Sequence, residues 1–209
     1  MKTTLIIIRH AETFWNREHR IQGHLDSKLT PEGIAQAEAC AFRLKGERID
    51  VVVASDLERV RHTADILTKG RALPLKLDAS LRERCFGIGE GLTYTEVDGK
   101  YPQMFSKTGL VDAEFTLPDG ESRAAFHARV KGAIERLAHL HPGKCLLVVT
   151  HGGVLGVIYR WLKDMPVAGA NTIAIPNAGF NQISMGPGGW KIDVWGNTDH
   201  LDIDASEAG

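Results

Sequence analysis

Cysteine is scarce in this chain. Cys40, Cys85 and Cys145 are the only three in 209 residues, far apart and without CxxC spacing. That excludes a disulfide framework and fits a reducing cytoplasm, the expected location. No apolar run approaches the roughly 20 residues of a membrane span, so no membrane partner is expected. The N-terminus leads directly into a strand pattern, not a signal peptide. Neither charge sign is in excess: 25 Lys and Arg stand against 26 Asp and Glu. They are mixed along the chain, and the absence of a basic stripe argues against nucleic acid. No internal repeat, low-complexity tract or interdomain linker is visible. The length suits one ample core.

What is present is a set of short apolar runs that end in chemistry. Leu5-Ile6-Ile7-Ile8 reads as a strand buried on both faces, and it stops at Arg9-His10-Ala11-Glu12-Thr13. In open α/β sheets that edge is where ligands bind. An arginine fork there suits phosphate oxygens. The histidine can be a nucleophile, a base or a metal ligand. A second run, Leu146-Leu147-Val148-Val149-Thr150, ends in His151-Gly152-Gly153. Adjacent parallel strands would place the two imidazoles around one point. Gly152 and Gly153 let backbone approach a ligand and open a helix over Val154–Lys163, whose N-terminus favours an anion. They would equally make a plain strand-to-helix turn.

A third strand, Val51–Ala54, precedes Ser55-Asp56-Leu57-Glu58, which reads as a capping box. Arg59 then falls in the first helical turn, against the macrodipole, and a bound anion would offset that. A surface pairing with Asp56 or Glu58 is the plainer alternative. After a strand at Pro74–Leu77 comes the glycine-marked loop Leu81–Gly91. Glu83 there, flanked by Arg82 and Arg84, is either a catalytic carboxyl or a charge-paired loop residue.

The remaining pattern alternates strands and helices. Thr30 caps a helix opened by Pro31, with Ile34, Ala37, Ala41 and Leu44 at helical spacing. Ser122 caps a longer one carrying Phe126, Val130, Ile134 and Leu137, stopped at His141-Pro142-Gly143. Phe180–Met185 and Trp190–Val194 read as a hairpin. The expected fold is α/β: a three-layer α/β/α sandwich around a mostly parallel central sheet. One domain over 1–198, with a lid at about 92–121 and a short, acidic, mobile tail over 199–209, is expected.

Arg9-His10-Ala11-Glu12-Thr13, Asn16, Gln22-Gly23 and Leu29-Thr30-Pro31-Glu32-Gly33 together resemble the N-terminal signature of the histidine phosphatase superfamily, the phosphoglycerate-mutase-like proteins. Ser55–Arg59 with His62-Thr63-Ala64 resembles its second motif. Leu81, Glu83, Gly87, Glu90 and Gly91 resemble its third, and Thr150–Gly153 its fourth. The motifs stand in the family's order over most of 4–156. The resemblance implies that His10 is the nucleophile and that Arg9, Arg59 and His151 hold the phosphoryl oxygens. It implies Glu83 as the acid and base, and Asn16, Gln22, Gly23 and Gly152 as substrate-binding positions. No metal or other cofactor is implied, because phosphoryl transfer is mostly positioning and charge stabilisation. A metal site using His10, His62 and His151 has little support, for these three histidines stand in neither HxH nor HExxH spacing.

Mutases of this family carry a longer insert with an adjacent arginine pair. Here Thr93–Gly120 is short and holds only Lys100 and Lys107 as cations, beside Tyr94, Tyr101, Met104, Phe105, Leu110 and Phe115. These aromatics either meet a partly apolar ester or are the lid's own packing. The Pro118–Ser122 run looks like the phosphatase branch. The expected function is a phosphomonoesterase of a small-molecule phosphate ester, acting through a phosphohistidine. A 2,3-bisphosphoglycerate-dependent phosphoglycerate mutase is the alternative, since Arg20, Arg82, Arg84 and Arg123 could form a second anion site. A protein phosphohistidine or phosphotyrosine phosphatase is weaker, because a lid of this length argues against an open pocket. The chain is expected to be a monomer or homodimer, with Trp161, Trp190 and Trp195 in the core or at an interface.

Overall fold

The computed structural model describes residues 1–102, 113–167 and 173–201. Among them the chain runs β1 (Thr3–Arg9), α1 (Phe14–Arg17), α2 (Pro31–Arg43), β2 (Val51–Ala54), α3 (Glu58–Thr68) and β3 (Leu75–Leu77). It continues with α4 (Tyr94–Lys100), α5 (Arg123–Leu140), β4 (Cys145–Thr150), α6 (Gly152–Leu162), β5 (Phe180–Gly186) and β6 (Gly189–Asn197). The strands form one sheet in the order β3-β2-β4-β1-β5-β6. The first four are parallel, and β5 pairs antiparallel with β1 and with β6.

The apolar runs are continuous because helices cover both faces of the sheet. Ile6, Ile8, Val52, Ala54, Leu147 and Val149 pack with Cys40 of α2 and with Val60, Ala64 and Leu67 of α3. Leu5, Ile7, Val53, Leu146 and Val148 pack on the other face with Phe126, Val130, Ile134 and Leu137 of α5 and with α6. Burying each such side chain is worth about 1.5–3 kcal/mol. The three-layer architecture is as expected. Trp161 and Trp190 meet edge to face at 5.3 Å and pack against the core.

Two helix starts follow their local signals. Thr30 Oγ1 accepts from Gly33 N at 2.9 Å, and Ser122 Oγ accepts from Ala125 N at 3.1 Å. The third does not. The expected capping box of Ser55 and Glu58 is absent: α3 begins at Glu58, with Leu57 at the cap position and no side-chain cap bond from it. The orphan N–H groups of Glu58 and Arg59 are accepted instead by the Asp26 carboxylate, at 2.9 and 3.3 Å. A distant carboxylate replaces the local hydroxyl, which frees Ser55 for another bond.

Two segments differ from the expected pattern. α6 starts at Gly152, so both glycines lie inside its first turn. The segment expected to be loose from Asp199 is docked at its start: Asp199–Leu201 forms a 3-10 turn, His200 is buried, and its ring meets Ala178 O at 3.0 Å. Residues 202–209 lie outside the described residues. Within residues 92–121, Val97, Leu117, Tyr101 and Phe115 pack with Ile21, Phe86 and Leu92. Tyr101 and Phe115 thus pack within this segment, while Tyr94 stays exposed. Met104, Phe105, Lys107 and Leu110 fall outside the described residues. Burial pushes the Cys40 thiol up to about 12 and the half-buried Cys145 up to about 11, and it raises Cys85, so none is poised to react.

Candidate active site

β1 and β4 lie side by side in parallel register, Arg9 opposite Thr150, and His10 N–H donates to Thr150 O at 2.8 Å. Their next residues are therefore delivered together. The His10 and His151 rings meet edge to face with centroids 5.5 Å apart, and both are buried. His10 Nδ1 lies 2.8 Å from Ala11 O. A carbonyl only accepts, so Nδ1 carries the proton and Nε2 keeps its lone pair. Burial, then the charges of Arg59 and Arg9, hold its pKa well below the ordinary imidazole value. A neutral imidazole with a free Nε2 is the nucleophilic form. Asn177 Nδ2 fixes the same residue from behind, donating to His10 O at 2.9 Å.

His151 is held at both nitrogens. Arg59 Nη2 lies 3.1 Å from Nδ1 and has only protons to give, so Nδ1 accepts. Nε2–H then donates to Ser55 Oγ at 2.9 Å. Burial and the charge of Arg59 keep its pKa low as well.

Arg59 is 2% exposed, which removes the surface-pairing alternative. Its Nη1 donates to Leu25 O at 2.8 Å and Asp26 Oδ1 at 2.7 Å, and its Nη2 to Gly23 O at 2.8 Å. Arg9 Nη1 donates to Ile175 O at 2.6 Å. The Nε of each guanidinium is buried without a partner. Burial draws both arginine pKa values down, opposed by Glu83 at Arg9 and by Asp26 at Arg59. Arginine keeps its proton in proteins, so two cations sit here with an unspent donor each. Gly152 makes room for one of them: a Cβ there would lie 3.3 Å from Arg9 Nε.

Glu83 is not a charge-paired loop residue. Its carboxylate accepts from Gly153 N and from Arg84 N, both at 2.8 Å. The start of α6, expected to face a ligand anion, thus first receives the protein's own carboxylate. A Cβ at Gly153 would lie 2.0 Å from Glu83 Oε1. The flanking arginines point elsewhere. Arg82 forms a fork with Asp56 at 2.6 and 2.7 Å. Arg84 donates to Glu121 O at 2.7 Å and lies over Phe86, and burial brings its pKa down to about 10.

The candidate binding positions surround this centre. Asn16 Oδ1 accepts from Thr13 N, Thr13 Oγ1 and Asn177 Nδ2, which leaves Nδ2 as its donor end. Gln22 is buried with Oε1 unpartnered. Gly23 has φ +53°, and a Cβ there would lie 2.0 Å from Glu90 Oε1. Glu90 itself accepts from His24 N, Leu25 N and Phe86 N, binding the two loops together. Of the four arginines considered for a second anion, Arg20 is paired with Glu18 and Arg82 with Asp56. Arg123 has a buried Nε without a partner. His62 is exposed on α3, unlike His10 and His151. Among the described residues no group of three His, Cys, Asp or Glu side chains could hold a metal.

Asp26, His24 and Asn177 support the site without a signal in the sequence, and Ser55 meets His151 where its spacing suggests a cap. Their bonds span many residues of chain, so no local spacing announces them. Thr63 had a signal, lying one turn after Arg59: its Oγ1 donates to Arg59 O at 2.7 Å and accepts from Ala11 N at 3.1 Å.

The family model for the histidine phosphatase superfamily (branch 1) matches residues 5–198. Two curated proteins of Arabidopsis thaliana, phosphoglycerate mutase-like protein 4 and metal-independent phosphoserine phosphatase, are each 36% identical over 202 residues. Each alignment covers 95% of this chain, with 86% and 83% of the respective relatives. A phosphoserine phosphatase mutant from Entamoeba histolytica, solved in complex with phosphoserine, is similar at 28% identity and TM-score 0.84, covering 95% of this chain and 99% of that one.

Proposed function

The chain belongs to the histidine phosphatase superfamily, branch 1, and we propose that it hydrolyses small phosphate esters through a phosphohistidine formed on His10, without a metal. It is a phosphatase. The observation that carries the mechanism is the state of His10: a buried neutral imidazole with Nε2 free, beside two buried guanidinium groups that each keep an unspent donor.

His10 Nε2 attacks phosphorus, a P–N bond forms and the ester P–O bond breaks. The leaving oxygen takes a proton from Glu83. Water then attacks the phosphohistidine, gives its proton to the Glu83 carboxylate, and phosphate leaves. Arg9 and Arg59 hold phosphoryl oxygens through charge-assisted bonds, with Asn16 Nδ2 as a further donor. A bound dianion favours the protonated form of His151, which turns its Nδ1 from acceptor to donor. The similarity to phosphoserine phosphatases supports a substrate of that size. Three unpaired cysteines suit a reducing compartment, the cytoplasm.

A second reading, phosphoglycerate mutase, is kept by Arg123, whose buried Nε has no partner and could meet a second anionic group. The deciding experiment is phosphate release in EDTA from p-nitrophenyl phosphate, sugar phosphates, O-phosphoserine and 3-phosphoglycerate. Interconversion of 2- and 3-phosphoglycerate is followed in parallel after priming with 2,3-bisphosphoglycerate. Hydrolysis without interconversion is expected, and rapid interconversion with little hydrolysis would make the protein a mutase. His10→Ala should abolish both turnover and the phosphoenzyme trapped by an alkaline denaturing quench.

A further inference from the structure

Arg129, on the second turn of α5, uses every N–H of its guanidinium. Nε and Nη2 form a fork with Glu121, at 2.8 and 2.7 Å. Nη1 donates to Ser80 O at 2.9 Å and to Arg82 O at 3.0 Å, and Nη2 also donates to Glu83 O at 3.2 Å. Glu121 extends the grip. Its N–H donates to Cys85 O at 2.8 Å, and its carbonyl accepts from Arg84 Nε at 2.7 Å. One ion pair therefore spans the irregular segment from Ser80 to Cys85. On a different side, His24 Nε2 lies 2.9 Å from Glu83 O and donates to it.

None of these groups has a bond to the Glu83 carboxylate. Arg129 and Glu121 hold its main chain to the start of α5 and His24 holds it to the loop before α2, while Gly153 N–H holds the carboxylate to α6. The segment has no helix or strand ladder of its own to fix it after the 3-10 turn Ala79–Leu81. We infer that Arg129 is a positioning residue for proton transfer by Glu83. It sets where the acid stands without touching the reacting atoms. The need for an arginine follows from geometry: a lysine offers a point charge with three donors and cannot make the planar fork and the three carbonyl bonds at once. Misplacing a reacting group by about 1 Å can cost roughly 100-fold in rate.

The inference rests on Glu83 acting as the acid, and the test separates the two. Turnover of an alkyl ester, O-phosphoserine, is compared with that of p-nitrophenyl phosphate, whose leaving group needs little protonation. The full chain is used as wild type, Glu83→Gln, Arg129→Lys and Glu121→Gln, with vanadate inhibition reporting the phosphate pocket. General acid help is worth roughly 100-fold or more, so Arg129→Lys should lose about tenfold more on the alkyl than on the aryl ester. Vanadate inhibition should be unchanged. Glu83→Gln should show the same selectivity more strongly. Should Arg129→Lys not fold, Glu121→Gln must show the selective loss in its place. Equal losses on both esters in Arg129→Lys, beside a selective Glu83→Gln, overturn this inference alone. Equal losses in Glu83→Gln overturn it together with the assignment of the acid.

Discussion

Asp26 holds Arg59 twice over: its carboxylate accepts from the Arg59 side chain at 2.7 Å and from the backbone N–H groups that open α3, Arg59's own among them. A cation early in a helix opposes the macrodipole. Here one carboxylate answers both the dipole and the cation. The anion expected to offset Arg59 is, in the free protein, already part of the chain.

Asp26→Asn should therefore weaken both the fold and the phosphate pocket. Removing one partner of a fully buried pair costs about 3–5 kcal/mol. Asp26 is partly exposed, so a loss of about 1–3 kcal/mol is expected. Denaturant unfolding measures it, and vanadate inhibition should weaken in the same variant. A double-mutant cycle with Arg59→Lys showing no coupling would separate the two residues.

The buried histidines set a pH dependence of stability. His10 and His151 both have pKa values pushed well below the ordinary imidazole value by burial and by Arg59. The native state thus binds fewer protons than the unfolded chain once pH falls below about 6.5. Stability is full above that pH and is lost as pH falls toward the folded values. The slope is up to about 1.4 kcal/mol per pH unit for each histidine. Denaturant unfolding between about pH 5 and 6.5 should show this, above the carboxylate range. In His10→Ala the slope should shrink by about one proton, and an unchanged slope would refute the assignment.

Gly153→Ala should displace the Glu83 carboxylate, since the added Cβ would stand 2.0 Å from Oε1. The expected result is a loss of up to about 100-fold on O-phosphoserine, with a smaller loss on p-nitrophenyl phosphate. Parallel losses on the two esters would point instead to general damage at the start of α6.

Ser55→Ala should strand the Nε2–H of His151, while Arg59 Nη2 still donates to Nδ1 and keeps the tautomer. A buried imidazole N–H would be left without an acceptor, at a cost of about 1–3 kcal/mol. Nitrogen-detected NMR of His151 should find the proton on Nε2 in wild type and variant alike, and denaturant unfolding should show the loss of stability. A wild-type proton on Nδ1 would contradict the bond to Arg59.

Much of this molecule is legible in its sequence. The runs at Leu5–Ile8 and Leu146–Thr150 are buried on both faces and end in the two histidines, because a strand covered on both sides must be apolar throughout. Thr30 and Ser122 cap their helices because the bond they make reaches only three residues. Ser55 failed by the same rule. Its hydroxyl had a local N–H to serve and a distant imidazole to meet, and spacing alone could not choose between them.

The chain by itself determined the strand ends, the two imidazoles and the arginines beside them, for those follow from local composition and periodicity. Tertiary structure decided how each is held. Asp26 reaches Arg59 across 33 residues, Glu83 reaches Gly153 across 70, and Asn177 reaches His10 across 167. Such pairings carry no period and no spacing. They exist because the sheet order sets β4 between β1 and β2, which brings separate loops to one edge. There buried polar groups must find partners wherever the fold offers them.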